Sequence, residues 1–329
     1  MKMTQQEVSA EILTYYSIPG PLTDLSRYSQ AIDGLTDDVN QLTQVVQGII
    51  LHVLWVDRYK IIPTPTQLCQ ALTPRMTDLI DIVSKNNHEA PFAPRPPGSR
   101  VIACCREFAT LLCALLRTKG IPARSRCGFA AYLAKQGYYE DHWVCEFWNG
   151  KSWQMVDPQI DGFQLDSIKT YANNQQNIDP AYQAMLLSLN PMNLTEHHFI
   201  TAGKAWQLCL NGKTNPECYG LDVDPKPYGL DSLHGLWFVR GNLIRDFLAL
   251  NKIEIQPFVA GIEKIPQYWE GWRLITAKDN ELTQEENALL DRIAELSIEP
   301  DTHYQELRTV YEQTPSLWPP KGLLVVHKK

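Results

Sequence analysis

Hydrophobic positions in the first third of the chain fall at helical spacing. Val39, Leu42, Val45, Val46, Ile49 and Ile50 recur at three- and four-residue intervals, and the pattern runs on through His52 to Trp55. Thr36-Asp37-Asp38 ahead of it supplies a side-chain cap and acids that complement the helix dipole. Thr64-Pro65 opens a further short helix, and Met76 to Val83 another. Phe108, Leu111, Leu112, Leu115 and Leu116 then mark one apolar face of a helix that starts near Cys104-Cys105. Arg117 and Lys119 occupy its last turn, Gly120 follows, and Pro122 stops it.

The middle of the chain reads as sheet. Arg124 to Leu133 is a strand with Gly128 as a bulge. The segments DHWVCEFW and KSWQMVDP flank Asn149-Gly150, a strong hairpin signal. With a two-residue loop, Trp148 lies opposite Lys151 and His142 opposite Asp157, on one face and roughly 5 Å apart at Cβ. Beyond Asp161-Gly162 the pattern is polar with helical pieces, such as the one opening at Asp179-Pro180. His197 to Cys209 begins another helical region, and Gly220 to Gly229 is a loop. Residues 242–251 form a helix with Asn242 near its cap. Pro266, Tyr268, Trp269 and Trp272 make an aromatic packing cluster. Thr283 opens a helix with a capping box, and Pro300 to Thr314 gives a last one before a basic tail.

Composition changes this picture in three ways. At 329 residues, 44% hydrophobic and 20% charged, the chain is an ordinary globular protein of one large or two ordinary domains. We divide it into a core at 1–190, including the N-terminal helices, and an extension at 191–329 packed on that core. A net charge of −7 argues against a general nucleic-acid surface, and no apolar stretch is long enough to span a membrane. The first twenty residues lack the basic start and apolar run of a signal peptide, so a cytoplasmic protein is expected. Eight cysteines without a Cys-x-x-Cys pair read as free thiols in a reducing compartment. Cys69, Cys113, Cys127 and Cys145 then serve as small core residues, and His52 as a packed core histidine. His197, His198, Cys209 and Cys218 match no compact zinc spacing, so no metal and no other cofactor is expected. The Pro-rich stretch Ala90 to Ser99 is a stiff connector walling a cleft.

Chemistry concentrates between Arg100 and Gly162. A thiol at a helix start meets unpaired backbone N–H groups and the positive end of the dipole, which stabilise a thiolate and could stabilise an oxyanion. Periodicity does not choose between Cys104 and Cys105, which flank the centre of the apolar stripe. An imidazole at His142 with a carboxylate at Asp157 across the hairpin completes a possible relay. Arg240 and Arg245 could grip a carboxylate on a substrate, although Arg245 paired with a nearby acid is the simpler reading.

Cys105-Arg-Glu-Phe-Ala109 with its Leu-rich helix, Gly120-Ile-Pro-Ala-Arg124, His142-Trp143 and Val156-Asp157-Pro158 resemble the transglutaminase-like superfamily. The resemblance implies an α+β, papain-like core, with a nucleophile helix packed on an antiparallel sheet, a helical N-terminal part and a mostly helical C-terminal extension. It further implies Cys105 as nucleophile, His142 as base and Asp157 as its orienter. It implies acyl chemistry on the amide of a peptide or protein substrate, by a peptidase, amidase, deamidase or transglutaminase, or a silent scaffold that binds such a partner. Tyr139, Asp141, Trp143 and Arg240 are the candidate substrate-binding residues. No upstream Gln or Trp stands out as a second oxyanion donor.

Overall fold

A computed structural model describes residues 8–70, 74–86, 90–255 and 270–319. Its organising layer is a sheet in the order β5-β4-β3-β6, with β7 running parallel to β4 at its start. The strands are β3 (Ala123–Ala130), β4 (Tyr139–Trp148), β5 (Trp153–Val156), β6 (Phe199–Thr201) and β7 (Tyr219–Gly220). Upstream, β1 (Ile50–His52) and β2 (Val101–Ala103) make a separate parallel pair. The expected α+β core, a helix packed on an antiparallel sheet, is present.

β3 and β4 pair without interruption from Ala123↔Phe147 to Ala130↔Glu140. Gly128 is therefore not a bulge. A Cβ there would lie 2.2 Å from the Ile200 carbonyl oxygen, so glycine is required by the close approach of β6. Every residue of β3 is buried, although its sequence carries Arg124 and Arg126. Arg126 is clamped by Asp246 and Glu146, and Arg124 by Glu146 and Asp301. The edge N–H of Cys127 donates to Asp246 Oδ1 at 2.9 Å, so the helix Leu236–Leu250 closes this part of the sheet edge. Asn242 lies inside that helix rather than at its cap, which is Gly235.

The helix Cys105–Thr118 is buried from Cys105 to Arg117, not only along its apolar stripe. Leu111, Leu112, Leu115 and Leu116 are fully buried, each contributing about 1.5–3 kcal/mol of transfer free energy. Its polar side chains are buried too. Arg117 donates to Glu254 Oε1 at 2.8 Å, Thr23 Oγ1 at 3.0 Å and the Ala123 carbonyl at 2.8 Å. The helix–dipole role expected of Arg117 is thus secondary to a buried ion pair. Packed against this helix are Leu42, Val46 and Ile49 of the helix Val39–Ile49, capped by Asp38 as expected, and Leu79, Ile80 and Val83 of Met76–Asn86.

Two local expectations fail for one reason. The helical pattern of 39–55 stops at Ile49, and the chain extends into β1 alongside β2. Phe199 to Thr201 likewise extends into β6 before the helix Ala202–Leu210 begins. In both places a partner strand satisfies the backbone, and three residues, two of them apolar, carry no period that separates strand from helix. The capping box at Thr283 and Glu286 opens the helix Gln284–Ile298 as expected. The cluster built on Pro266, Tyr268 and Trp269, and the basic tail, lie outside the described residues.

Candidate active site

The first turn of the helix Cys105–Thr118 separates two adjacent thiols. Cys104 is the N-cap, with extended backbone, and its N–H and Sγ both donate to Glu107 Oε2, at 3.1 and 2.8 Å. Cys105 is the first helical residue and is 6% exposed. The neighbouring Cys105 thiol, burial and the Glu107 charge all push the Cys104 thiol well up. Cys105 moves the other way. The neighbouring Cys104 thiol lowers it most; burial opposes; His142 and His52 lower it further. Periodicity treats the two thiols alike, whereas the helix cap gives them different surroundings.

His142 and Asp157 meet, but not through the register expected from Asn149-Gly150. The loop is Asn149 to Ser152, held by Asn149 Oδ1, which accepts from the N–H groups of Lys151 and Ser152, each at 3.0 Å. β4 and β5 consequently pair as Trp148↔Trp153 through Cys145↔Val156. Relative to a two-residue loop the register is displaced by two. Because side-chain direction has period two, His142 and Asp157 still share a face, now as diagonal neighbours. His142 Nε2 lies 2.8 Å from Asp157 Oδ2. The same oxygen accepts from Tyr132 Oη at 2.5 Å, and Asp157 Oδ1 accepts from the Gln159 N–H at 2.9 Å. Three donors thus fix the carboxylate. Burial alone would lower the His142 pKa, but the Asp157 charge and hydrogen bond, aided by Cys105, push it up to about 10. With Nε2 committed to Asp157, Nδ1 is the nitrogen left for the sulfur.

The four residues expected to bind substrate are scattered. Tyr139 opens β4 and is half-buried, its ring stacked on Tyr219 at 4.8 Å. With Tyr138, Tyr182 and His198 it lines a depression of about 920 Å³ that does not include Cys105. The ring of Tyr132 stands between, 6.0 Å from His142 and 6.4 Å from His198. Asp141 and Trp143 flank His142 in sequence and so point to the opposite face of β4. Asp141 is buried and accepts from Asn242 Nδ2 at 2.8 Å and Arg245 Nη2 at 3.0 Å. Trp143 is fully buried in one cluster with Cys105, Ala109, Cys127 and Ala249, so it packs behind the thiol. Arg240 is fully buried as well, donating to Asp279 and to the carbonyls of Ile275 and Ala277. Asp141, Trp143 and Arg240 are therefore placed as packing and ion-pair residues, while Arg245 does pair with an acid. His198 is occupied by Thr195 and the Met185 carbonyl.

Two neighbours of the triad carry no sequence signal. Tyr132 follows β3 without a motif, and only the sheet brings its hydroxyl to Asp157. His52 reads as a packed core histidine and is buried and hydrogen-bonded, but on β1 rather than on a helix, and it is among the groups that lower the Cys105 thiol.

Residues 91–158 match the family model described as the transglutaminase-like superfamily, a span that holds Cys105, His142 and Asp157. No curated protein matches the sequence. A crystal structure of a candidate cysteine protease from Cytophaga hutchinsonii is similar over 48% of this chain and 45% of that one, with 17% identity and a TM-score of 0.31, a likeness too slight to carry an argument. The motif order, the helix-start thiol and the family match agree, and the central segment of this protein is similar to the transglutaminase-like superfamily.

Proposed function

We propose that this protein is a cysteine-dependent enzyme that transfers acyl groups from amides, with Cys105 as nucleophile, His142 as base and acid, and Asp157 as the group that orients His142. The observation that carries this reading is the 2.8 Å contact between His142 Nε2 and Asp157 Oδ2, set beside a Cys105 thiol drawn well below its ordinary pKa. In that state the pair is a thiolate and an imidazolium. The thiolate attacks the amide carbonyl, His142 returns its proton to the leaving amine, and an acyl-thioester remains. Water then gives hydrolysis, or an amine gives transamidation. A peptide or protein amide is the substrate class this reading takes.

The experiment is mass-spectrometric mapping of alkylation by iodoacetamide. Cys105 should label at least tenfold faster than every other thiol near pH 7, and Cys105→Ala should remove that fast site while Cys104→Ala retains it. Fast labelling that survives in Cys105→Ala would overturn the assignment. The second reading, a silent scaffold that binds a partner, is favoured by the burial of the triad: Cys105 is 6% exposed and His142 1%. Slow, even labelling of all thiols is the outcome that selects it.

A further inference from the structure

Two imidazoles, not one, approach the Cys105 sulfur, and their hydrogen bonds give them opposite capacities. β1 runs parallel to β2 with His52 level with Ala103, two residues before Cys105. The ring is 6% exposed and lies 6.4 Å from the ring of Phe108 on the same helix as Cys105. The N–H of Leu54 donates to His52 Nδ1 at 3.2 Å. A ring nitrogen that accepts a hydrogen bond carries no proton, so in this arrangement the proton of the neutral ring sits on Nε2. His52 is therefore held as an N–H donor, whereas His142, with its Nε2 on Asp157, is held as a proton carrier. His52 is also among the groups that lower the Cys105 thiol.

An acyl transfer at Cys105 needs donors aimed at the oxygen that becomes charged. The first N–H groups of a helix have no intrahelical acceptor, and that of Cys105 is one of these. The complementary donor must come from outside the helix. We infer that His52, through Nε2–H, is that donor, holding the carbonyl oxygen of the acyl group together with the backbone N–H of Cys105. This assignment rests on the acyl-transfer reading above. As the sulfur lone pair forms the S–C bond, the C=O π pair moves onto oxygen, and the His52 N–H donates to that oxygen. When the π pair returns, the C–N bond breaks and the amine leaves with the proton of His142. In the hydrolytic half, water adds to the thioester carbonyl and gives a proton to His142. The same oxygen is again held, and the thiolate departs.

The test separates attack on a carbonyl from attack on an alkyl carbon. Iodoacetamide alkylates sulfur at a saturated carbon and develops no oxyanion, whereas 4-nitrophenyl acetate acylates through one. In full-length protein, His52→Ala should slow Cys105 acylation, read as the nitrophenolate burst, by about 10²–10³-fold, the usual effect of removing one oxyanion donor. Alkylation of Cys105 should slow less than tenfold. His52→Gln, which restores an N–H donor, should recover at least tenfold of the acylation rate. Equal slowing of both reactions, or no slowing of acylation, overturns the assignment. Should His52→Ala fail to fold, His52→Met against His52→Gln makes the same comparison, and equal ratios of acylation to alkylation in the two overturn it. A wild-type protein that neither alkylates rapidly nor acylates overturns the acyl-transfer reading and this assignment together. A wild type that does both, with His52→Ala unchanged, overturns this assignment only.

Discussion

The helix Cys105–Thr118 touches two pairs of neighbouring thiols that differ in the groups around them. At its first turn Cys104 and Cys105 shift each other's pKa, and two turns deeper Cys113 and Cys145 of β4 do the same. Cys104 is half-buried and the other three thiols are buried. In both pairs, one thiol is pulled down and the other pushed up. For Cys113, burial raises the pKa, while the neighbouring Cys145 thiol and the Arg117 charge more than compensate. Yet Cys113 and Cys145 are completely buried, and their cation is an arginine locked to Glu254 at 2.8 Å. Arginine does not give up its proton, so that site offers charge without acid–base chemistry. The first-turn pair has an imidazole fixed by a carboxylate, a second imidazole fixed as a donor, and the open N-terminus of a helix. A lowered pKa is common to the two regions; a group that can move a proton is found at only one.

Substitutions can break that comparison, and the largest effect should follow loss of the imidazole's orientation. Asp157→Asn should lower turnover by about 10⁴-fold, since the amide favours the wrong imidazole tautomer. The second-largest effect concerns the deep pair. Arg117→Met should leave Glu254 buried and unpaired and cost about 3–5 kcal/mol in denaturant unfolding, while rapid alkylation at Cys105 in the still-folded fraction is retained. Loss of that alkylation would show that the two thiol pairs are not separable.

The smallest effect is a shift along the pH axis. The thiolate of Cys105 exists above its depressed pKa, and His142 stays protonated up to about 10. Acyl transfer from an amide should therefore follow a bell, its acid limb well below the ordinary thiol range and its alkaline limb near pH 10, where the proton needed by the leaving amine is lost. The largest influence lowering Cys105 is the Cys104 thiol. Cys104→Ala removes the neighbour that lowers Cys105 most, so the acid limb should move to higher pH, with less than a tenfold change in the maximum. A limb that stays in place would mean that Cys104 does not tune its neighbour.

The part of this molecule written locally in the sequence is the part that depends on a few consecutive residues. The helix start at Cys105, its stop at Gly120 and Pro122, the Asp38 and Thr283 caps and the order of Cys105, His142 and Asp157 all belong here, because caps and periodicity act within one or two turns. His142 and Asp157 fall on a common face because pleat alternation preserves parity even when the loop register moves by two. Tertiary structure decided whatever depends on partners distant in the chain. It turned residues 50–52 into a strand, brought Tyr132 to Asp157, and gave Asp141, Trp143 and Arg240 to packing and ion pairs. It also separated two thiols that periodicity treats alike, by making one a cap beside Glu107 and the other a helical residue beside two imidazoles. The reason is that charge and burial act through space, and these neighbours lie up to a hundred residues apart in the chain.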